Sequence, residues 1–511
     1  MAKSERNASS LTKKLIRLLI GIIGIILQGV LFYLIFFSLP KYRPIYLTMQ
    51  ALALLTVFGI YRGNGNSSYK LSWTIVILAL PFGGVIFYFA YGKGRSLPHR
   101  KNKKIQAYLK DKIETNEVKE ELKDIDLRYY KMANVLYNNA HLPFYKNTYT
   151  TFYPDGEIKF QALLEELKKA EKYIFLEYFI IKEGEMWEAI KSILVEKACE
   201  GVIVKILYDD VGSRKSLVIP AVKLLNNIPN IEMCAYNPLG KNLSLSINYR
   251  DHRKIAIIDG KSCICGGVNI GDEYIHRKER FGFWRDNALK IEGEAVKNFI
   301  LLFAENWYIS TKQMLDVKEF TPEYEKNDAK GYVCAFGDGP SIETNPAYNL
   351  FQSMFDNAQK YIYISTPYLI IDQEFINTIV MACQSGVDVR ILVPHIPDKK
   401  TVFMMTKAHY GDILKAGGKI YEYEPGFNHA KNIICDDKFA FIGTVNIDYR
   451  SLFLHYECGN FLLETDSIID MKKDFIEALK VSKEITIEDW NNRNILIKIM
   501  EVILAVTSPL M

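Results

Sequence analysis

The chain has 511 residues, more than one typical domain contains, so it can bury a large core. Hydrophobic residues make up 49% of it and the formal net charge is only +5, which suits a globular protein with a membrane part and disfavours a nucleic-acid-binding one. No zinc, EF-hand or phosphate-loop pattern occurs and the eight cysteines form no C-x-x-C pair, which predicts reduced, buried thiols and neither metal nor cofactor.

Three apolar segments lie within residues 1–95, which we interpret as a membrane anchor of two or three transmembrane helices. They are residues 18–39, 45–60 and 71–91. The first is long enough to span a bilayer, the second is short, and the third contains Pro81 and two glycines. Such residues are tolerated where membrane helices pack closely. A buried core hairpin is the soluble alternative.

Basic residues flank this anchor on both sides, where they would attract anionic headgroups. One group precedes residue 18, and a denser group lies within residues 93–104. Positive flanks favour the cytoplasmic side, yet three spans would place the two flanks on opposite sides. We therefore predict a multi-pass plasma-membrane protein whose larger part is cytoplasmic, and leave the number and orientation of the spans open.

The rest of the chain shows the same order of elements twice. Residues 96–145 are charged and helical in pattern, and we predict a linker or lid there. Residues 146–325 and 326–511 then each begin with helix, strand, helix and strand, which indicates an α/β fold with a largely parallel sheet. The prediction is two similar α/β/α halves related by pseudo-twofold symmetry, preceded by N-terminal transmembrane helices.

The last helical pattern, residues 495–506, carries apolar residues near helical spacing. Two interpretations are open for this amphipathic segment. It either caps the core or contacts lipid.

Each half contains one copy of the pattern H-x-K-x4-D. The residues of the two copies are His252, Lys254 and Asp259, and then His429, Lys431 and Asp436. A lone copy could be a half-buried strand with a surface lysine. Two copies with matching residues downstream indicate function instead; the matching residues are Gly267 and Asn269 in the first half, and Thr444 and Asn446 in the second.

Histidine and lysine two positions apart on a strand share one face. The ammonium can hold a phosphate oxygen, and the imidazole can attack phosphorus. A second histidine can protonate the departing alkoxide and then deprotonate an incoming alcohol. The two copies therefore predict one shared site for displacement at a phosphodiester, without a metal ion.

Acidic residues are expected in two further roles. Histidines that act in this way usually need a carboxylate to fix their tautomer. The candidates are Asp286 and Glu457, each about thirty residues beyond the histidine of its own copy. The motif residues Asp259 and Asp436 have the opposite strand parity, so we expect them to pin the following turn more than to touch substrate.

The residues around the motifs resemble the bacterial cardiolipin synthases of the phospholipase D superfamily, which is marked by this duplicated motif. The segments that carry the resemblance are residues 176–178, 248–254, 266–274, 365–368, 423–431, 443–451 and 508–511. The resemblance runs from about residue 45 to the C-terminus. It departs from the family only in one apolar segment more than the usual two.

This resemblance implies an enzyme that joins two phosphatidylglycerols into cardiolipin and releases glycerol. His252 would form a phosphatidyl-histidine, and His429 would act first as acid and then as base. The residues expected to hold the phosphate are Lys254, Lys431, Asn269 and Asn446, with Gly267 and Thr444 as further substrate-binding candidates. The expected partners are phosphatidylglycerol and anionic membrane lipid, and not nucleic acid.

Other functions remain open beside this one. A phospholipase D-type hydrolase would use water as the acceptor, and another phosphatidyltransferase would use a different alcohol. A nuclease is disfavoured by the apolar segments, and a non-catalytic membrane scaffold by the intact motifs. Acyl-chain preference, acceptor alcohol and oligomeric state are not encoded in any recognisable pattern.

Overall fold

The structure is a computed structural model that describes residues 29–30, 32–34, 41, 43–63, 66–92, 117–214, 219–238, 248–342 and 344–510. The chain divides into two compact units. One comprises Met1–Arg95 with Val506–Met511, and the other comprises Ser96–Ala505.

The smaller unit contains helices α1 (Arg43–Arg62), α2 (Ser67–Ala79) and α3 (Pro81–Phe87), followed by a π-helical turn at Tyr88–Gly92. Within the described residues, α1 alone is long and apolar enough to cross a membrane, with 20 residues. The predicted first span, residues 18–39, lies largely outside the described part of the chain.

The predicted third span, residues 71–91, is wrong as one continuous helix. The break falls at Pro81, which has no N–H to donate and whose ring obstructs the preceding turn. Beyond the break, α3 returns close to α2, where a Cβ on Gly84 would lie 2.6 Å from the carbonyl oxygen of Val76. A larger residue at position 84 would force the two helices apart. The number of membrane spans therefore stays a prediction.

The larger unit contains two α/β halves, each built on its own sheet, so this part of the fold prediction is confirmed. The first sheet has seven strands in the order β1-β8-β6-β5-β2-β3-β4. These strands, with β7 outside that sheet, are β1 Thr148–Tyr153, β2 Tyr173–Tyr178, β3 Ile203–Asp209, β4 Ile231–Tyr236, β5 Lys254–Ile258, β6 Ser262–Gly266, β7 Phe283–Arg285 and β8 Ala288–Gly293.

The second sheet has eight strands in the order β19-β13-β12-β10-β15-β16-β18-β9. The strands of this half, with the short β11, β14 and β17 outside that sheet, are β9 Tyr332–Asp338, β10 Tyr361–Ser365, β11 Leu369–Ile370, β12 Asp388–Pro394, β13 Lys419–Tyr423, β14 Gly426–Asn428, β15 Asn432–Cys435, β16 Phe439–Gly443, β17 Ile447–Asp448, β18 Glu457–Leu463 and β19 Ser482–Ile485.

The prediction of largely parallel sheets is wrong. In the first sheet β2, β3 and β4 run parallel, but β5, β6 and β8 are joined by antiparallel pairing. The second sheet repeats this arrangement, with β10, β12 and β13 parallel and β15, β16 and β18 antiparallel. The reason is that each motif strand turns back through a tight hairpin, which needs no crossover helix.

Helices cover both sheets and follow the predicted pattern closely. In the larger unit they are α4 Glu117–Ile125, α5 Leu127–Ala140, α6 Gly156–Lys168, α7 Glu185–Cys199, α8 Asp210–Ser213, α9 Ile219–Leu225, α10 Val296–Thr311, α11 Pro346–Asn357, α12 Gln373–Gln384, α13 Lys400–Ala408, α14 Tyr410–Lys415, α15 Tyr449–Phe453, α16 Ser467–Lys480, α17 Ile487–Asn491 and α18 Ile495–Thr507.

The two halves share one apolar core. Phe175 and Phe303 of the first half and Phe336 and Phe461 of the second belong to the same cluster of buried residues. Helix α5, in the region predicted as a linker or lid, also adds buried side chains to this cluster, including Tyr129, whose hydroxyl donates to Glu464 at 2.8 Å. The shared core fixes one half against the other, which is what a site built from both halves requires.

Candidate active site

Backbone hydrogen bonds between the halves hold both motif histidines. The amide of His252 donates to the carbonyl of Tyr456 at 2.8 Å, and the amide of His429 donates to the carbonyl of Arg285 at 2.7 Å. The latter bond extends the parallel pairing of β7 with β14. Each histidine therefore lies just before its motif strand and is anchored by the opposite half. The prediction that the histidines lie within the strands is wrong by two or three residues.

The carboxylates that face the two histidines are crossed between the halves. The Nδ1 of His252 lies 2.9 Å from Glu457, and the Nδ1 of His429 lies 2.6 Å from Asp286. Both carboxylates are fully buried. Because a carboxylate accepts, the proton of each neutral ring is on Nδ1, and Nε2 keeps its lone pair. Asp286 and Glu457 thus contact the histidines, but each contacts that of the other half.

Two buried lysines accompany the histidines. The ammonium of Lys254 donates to the carbonyl of His252 at 2.5 Å, and that of Lys431 donates to the carbonyl of His429. Burial lowers the pKa of Lys254 to about 8 and that of Lys431 to about 7. Burial also lowers the pKa of His429 to about 4 and that of His252 well below its usual value, and the nearby lysines add to both effects. His252 senses the charges of Lys431 and His429, so the two motifs form one electrostatic site.

These pKa values predict that anion binding weakens as the pH rises. An anion favours the charged ammonium, so it binds best below the lowered lysine pKa values and loses affinity as Lys431 and then Lys254 become neutral. Between pH 6 and pH 9 we expect the affinity for sulfate, which keeps its charge in this range, to fall by about 10²- to 10³-fold. Calorimetric titration of the purified protein measures this. Lys431→Met should weaken binding at pH 6 and flatten the profile, and a wild-type affinity that rises with pH would contradict the prediction.

The predicted substrate-binding residues divide into two pairs. The Nδ2 of Asn269 donates to the hydroxyl of Tyr274 at 2.7 Å, and its Oδ1 accepts from the amide of Ile180 at 3.1 Å. Asn446 is also buried, but its Oδ1 has no hydrogen-bond partner in the described part of the chain. Of the two asparagines, Asn446 is therefore the one whose amide oxygen has no hydrogen bond in the described part of the chain.

The other pair, Gly267 and Thr444, contacts the carboxylates. A Cβ on Gly267 would lie 1.9 Å from an oxygen of Asp286, so glycine leaves the room that Asp286 occupies. The hydroxyl of Thr444 donates to Glu457 at 2.5 Å. Both residues therefore shape the surroundings of a histidine-bound carboxylate, a position that their prediction as substrate-binding residues did not anticipate.

The motif aspartates hold the backbone that precedes β2 and β10. Asp259 accepts from the amides of residues 171, 172 and 173, each at 2.8 Å, and Asp436 accepts from those of residues 359, 360 and 361 at 2.8 to 2.9 Å. The arrangement is consistent with the expected structural role. However, each aspartate holds the residues that lead into a neighbouring strand, and not the turn that follows the aspartate itself. The expectation that they are structural more than in contact with substrate stays a prediction.

This arrangement predicts that Asp436→Ala affects stability more than chemistry. The substitution leaves the buried amide of Tyr361 and the part-buried amides of residues 359 and 360 without this acceptor, which should cost about 3 kcal/mol of unfolding free energy. Asp437→Ala is the matched control, because Asp437 has a similar left-handed backbone (φ 59°, against 55° for Asp436) but its carboxylate holds no amide among the described residues, only Lys472 and the hydroxyl of Tyr361. Thermal unfolding of the solubilised protein, with turnover measured well below the transition, checks this. Equal destabilisation by the two substitutions would contradict it.

Three residues near the site were missed from the sequence. Trp284 and His455 each lie two positions before a histidine-bound acid, and their rings lie 5.5 Å from those of His429 and His252, respectively. Arg253, within the first motif, is fully buried and donates to the carbonyls of Leu302 and Glu457 at 2.8 and 3.2 Å. The matching positions before the two acids were the signal that could have identified the first two.

His252, His455 and Glu457 are close enough together to share a metal ion, since their ligand atoms lie within 4.8 Å of one another. The surroundings disfavour a dication, because Lys254, Lys431 and Arg450 supply positive charge there. We therefore interpret the three groups as a hydrogen-bonding cluster.

Each α/β half supplies a histidine, a lysine and a carboxylate that faces the histidine of the other half. This arrangement defines a phospholipase D-like protein. In agreement, the family model described as "Cardiolipin synthase, PLD-like domain" matches residues 163–307 and 351–479, and one described as "Phospholipase_D-nuclease N-terminal" matches residues 51–93. The chain belongs to the cardiolipin synthase family of phospholipase D-like proteins.

Relatives match over nearly the whole chain. The cardiolipin synthase of Geobacillus sp. (strain WCH70) is 36% identical over 460 residues, which cover 89% of this chain and 91% of that protein. Cardiolipin synthase 2 of Bacillus anthracis is 37% identical over 466 residues, 88% of each chain. An uncharacterised protein of Streptococcus mutans is 39% identical over 447 residues, 86% of this chain and 96% of that one. The phosphatidylserine synthase structure from Haemophilus influenzae Rd KW20 shares the fold, with a TM-score of 0.56 at 15% identity over 75% of this chain and 100% of that one.

Proposed function

We propose that the protein synthesises cardiolipin from two phosphatidylglycerols through a phosphatidyl-histidine. The observation that carries the proposal is the pair of crossed histidine–carboxylate contacts, with two buried lysines in the same site. Two imidazoles whose Nε2 atoms keep their lone pairs supply a nucleophile and a proton carrier, and the ammonium groups balance the charge of a phosphodiester.

In the first step, the Nε2 of His252 attacks phosphorus and the bond from phosphorus to the glycerol headgroup breaks. His429 donates a proton to the departing oxygen, so glycerol leaves neutral. The pKa of His429, about 4 in the empty site, must rise for this, and the charge of the bound phosphodiester acts in that direction. In the second step, neutral His429 takes the proton from a hydroxyl of another phosphatidylglycerol, whose oxygen displaces His252 to give cardiolipin.

The roles of the individual residues belong to this proposal. Lys254 and Lys431 hold the phosphate, with Asn269 and Asn446 as further donors, and Asp286 and Glu457 fix the tautomers of the histidines that they face. The burial of both lysines and their place beside the histidine carbonyls support the first assignment. A buried ammonium group gains more from a bound anion than an exposed one does, because little water is present to stabilise its charge.

The membrane assignment also belongs here. We propose a multi-pass protein of the plasma membrane with the catalytic unit in the cytoplasm, supported by helix α1 and the basic flanks. The terminal helix α18 supports lipid contact. Ile495, Leu496 and Val502 are about two-thirds exposed (66%, 67% and 65%), whereas Glu501 is buried against Arg493. In α18 the apolar side chains point outward and an acidic one points inward, which is the reverse of the orientation in a helix that caps a core.

The test is lipid analysis by mass spectrometry after incubation of the purified, full-length protein with phosphatidylglycerol vesicles. We expect cardiolipin and glycerol in equal amounts. Phosphatidic acid as the main product would indicate the hydrolase, and transfer to added ethanolamine would indicate a different acceptor. A His252→Ala/His429→Ala double variant is the control, and equal cardiolipin from that variant would favour the scaffold interpretation.

A further inference from the structure

The two histidine-bound carboxylates have different neighbours at equivalent positions. Two residues before the acid, His455 lies beside His252, whereas Trp284 lies beside His429. Two residues before the motif asparagine, Thr444 donates to Glu457, whereas glycine lies beside Asp286. The carboxylate that faces His252 thus has a threonine hydroxyl and a second imidazole beside it, whereas the carboxylate that faces His429 has a glycine in place of the threonine.

The tautomer of His455 follows from its contacts. The Nε of Arg450 donates to the Nε2 of His455 at 3.2 Å, and because a guanidinium cannot accept, the proton of the neutral ring is on Nδ1. That Nδ1 lies 3.7 Å from an oxygen of Glu457, too far for a hydrogen bond, and it has no hydrogen-bond partner in the described part of the chain, so it acts on this buried carboxylate only through the dipole of its ring. Burial lowers the pKa of His455 to about 3, which keeps the ring neutral. Arg450, His455, Glu457 and His252 form a polar chain, which is hydrogen-bonded between Arg450 and His455 and between Glu457 and His252 but not between His455 and Glu457.

We propose that His455 is a positioning residue that, together with Thr444, draws negative charge from Glu457 and keeps the His252 imidazole weakly basic. A carboxylate whose charge is partly offset by a hydrogen bond from a hydroxyl and by the dipole of a nearby neutral imidazole stabilises an imidazolium less. His252 then stays neutral and available as the nucleophile, while His429, whose carboxylate has no such side-chain donors among the described contacts, becomes the proton carrier. This inference rests on the proposed transfer chemistry and explains how two similar histidines come to differ in role.

Other charged and titratable groups also act on His252. Those that face it are Lys254, Lys431, His429, His455 and Glu457, with Arg450 behind His455. The two lysines lie close to both histidines and therefore lower the basicity of both. The difference between the two histidines must come from groups near only one of their carboxylates. Thr444 donates to Glu457 and the ring of His455 lies 3.7 Å from it, whereas Lys159 acts on Asp286.

The experiment measures the basicity of His252 without requiring turnover. Diethyl pyrocarbonate acylates neutral imidazoles, so its rate of reaction with the His252 peptide, followed by mass spectrometry across pH, gives the midpoint of the His252 titration. In full-length His455→Phe we expect this midpoint to rise by roughly half to one pH unit, with a matching rise of the acidic limb of kcat/KM. His455→Asn should restore both, because its amide dipole can replace that of the imidazole.

Two further variants keep the outcome decisive. Thr444→Val removes the hydroxyl that donates to Glu457 and should shift the midpoint in the same direction, which covers the case of a misfolded His455→Phe. His395→Phe is the control, because His395 pairs with a different carboxylate, Glu422, at 3.1 Å. Unchanged midpoints in His455→Phe and Thr444→Val, or an equal shift in His395→Phe, would overturn the inference. A shift in a protein that makes no cardiolipin would instead retain the inference about His252 and reject the proposed function.

Discussion

His252→Ala abolishes covalent labelling by lipid, whereas His429→Ala leaves labelling of His252 intact when the leaving group is activated. The expected loss of cardiolipin synthesis is at least about 10⁴-fold for either variant. The two variants differ in the step they block, because p-nitrophenolate leaves without a proton and so does not need the acid. With phosphatidyl-p-nitrophenol, His429→Ala should release one nitrophenolate per site in a burst and then stop.

Mass spectrometry of the modified peptide identifies the labelled residue. The covalent lipid should accumulate on His252 in the His429→Ala variant, because no base remains to activate the incoming alcohol. His395→Ala serves as the control and should turn over as the wild type does, since its imidazole pairs with Glu422 outside the site. A label on His429 in the wild type or in His252→Ala would reverse the assignment of the two roles.

The sequence predicted which residue types meet, because the chemistry of phosphodiester displacement narrows the choice. Duplicated histidine and lysine motifs predicted one shared site, and the spacing of Asp286 and Glu457 marked both as carboxylate candidates. The alternation of helix and strand at the start of each half also predicted strands β2 and β10. Local periodicity is strongest for such continuous apolar strands.

What the sequence did not predict depends on contacts distant along the chain. The crossing of the two carboxylates follows from the pairing of β7 with β14 and from the bridge between Asp251 and Tyr456, neither of which leaves a local pattern. Strand direction was likewise not encoded in periodicity, which is why the sheets were predicted parallel. His455 was missed because it lacks a motif and gains its meaning only from the polar chain through Arg450.

Glu457→Gln and Asp286→Asn test directly whether each histidine depends on the carboxylate of the other half. Labelling of His252 should depend on Glu457, in the second half, and not on Asp286, in its own half. Glu457 faces His252, so Glu457→Gln should slow labelling of His252 by phosphatidyl-p-nitrophenol by about 10³- to 10⁴-fold. Asp286→Asn, in the same half as His252, should leave that labelling within a few-fold of wild type. With phosphatidylglycerol, which needs His429 as acid, both variants should lose cardiolipin synthesis by a similar factor.

The physical reason is that an amide cannot fix the tautomer as a carboxylate does. Glutamine at position 457 can donate to Nδ1, which moves the ring proton to Nε2 and removes the lone pair that attacks phosphorus. Rapid-quench measurement of the labelled protein gives the rate, with circular dichroism as the check on folding. Glu422→Gln is the matched control, because it changes another buried carboxylate that contacts a histidine Nδ1, that of His395. Loss of His252 labelling in Asp286→Asn but not in Glu457→Gln would show that each histidine depends on the acid of its own half, and the crossed geometry would then not be the one that acts in catalysis.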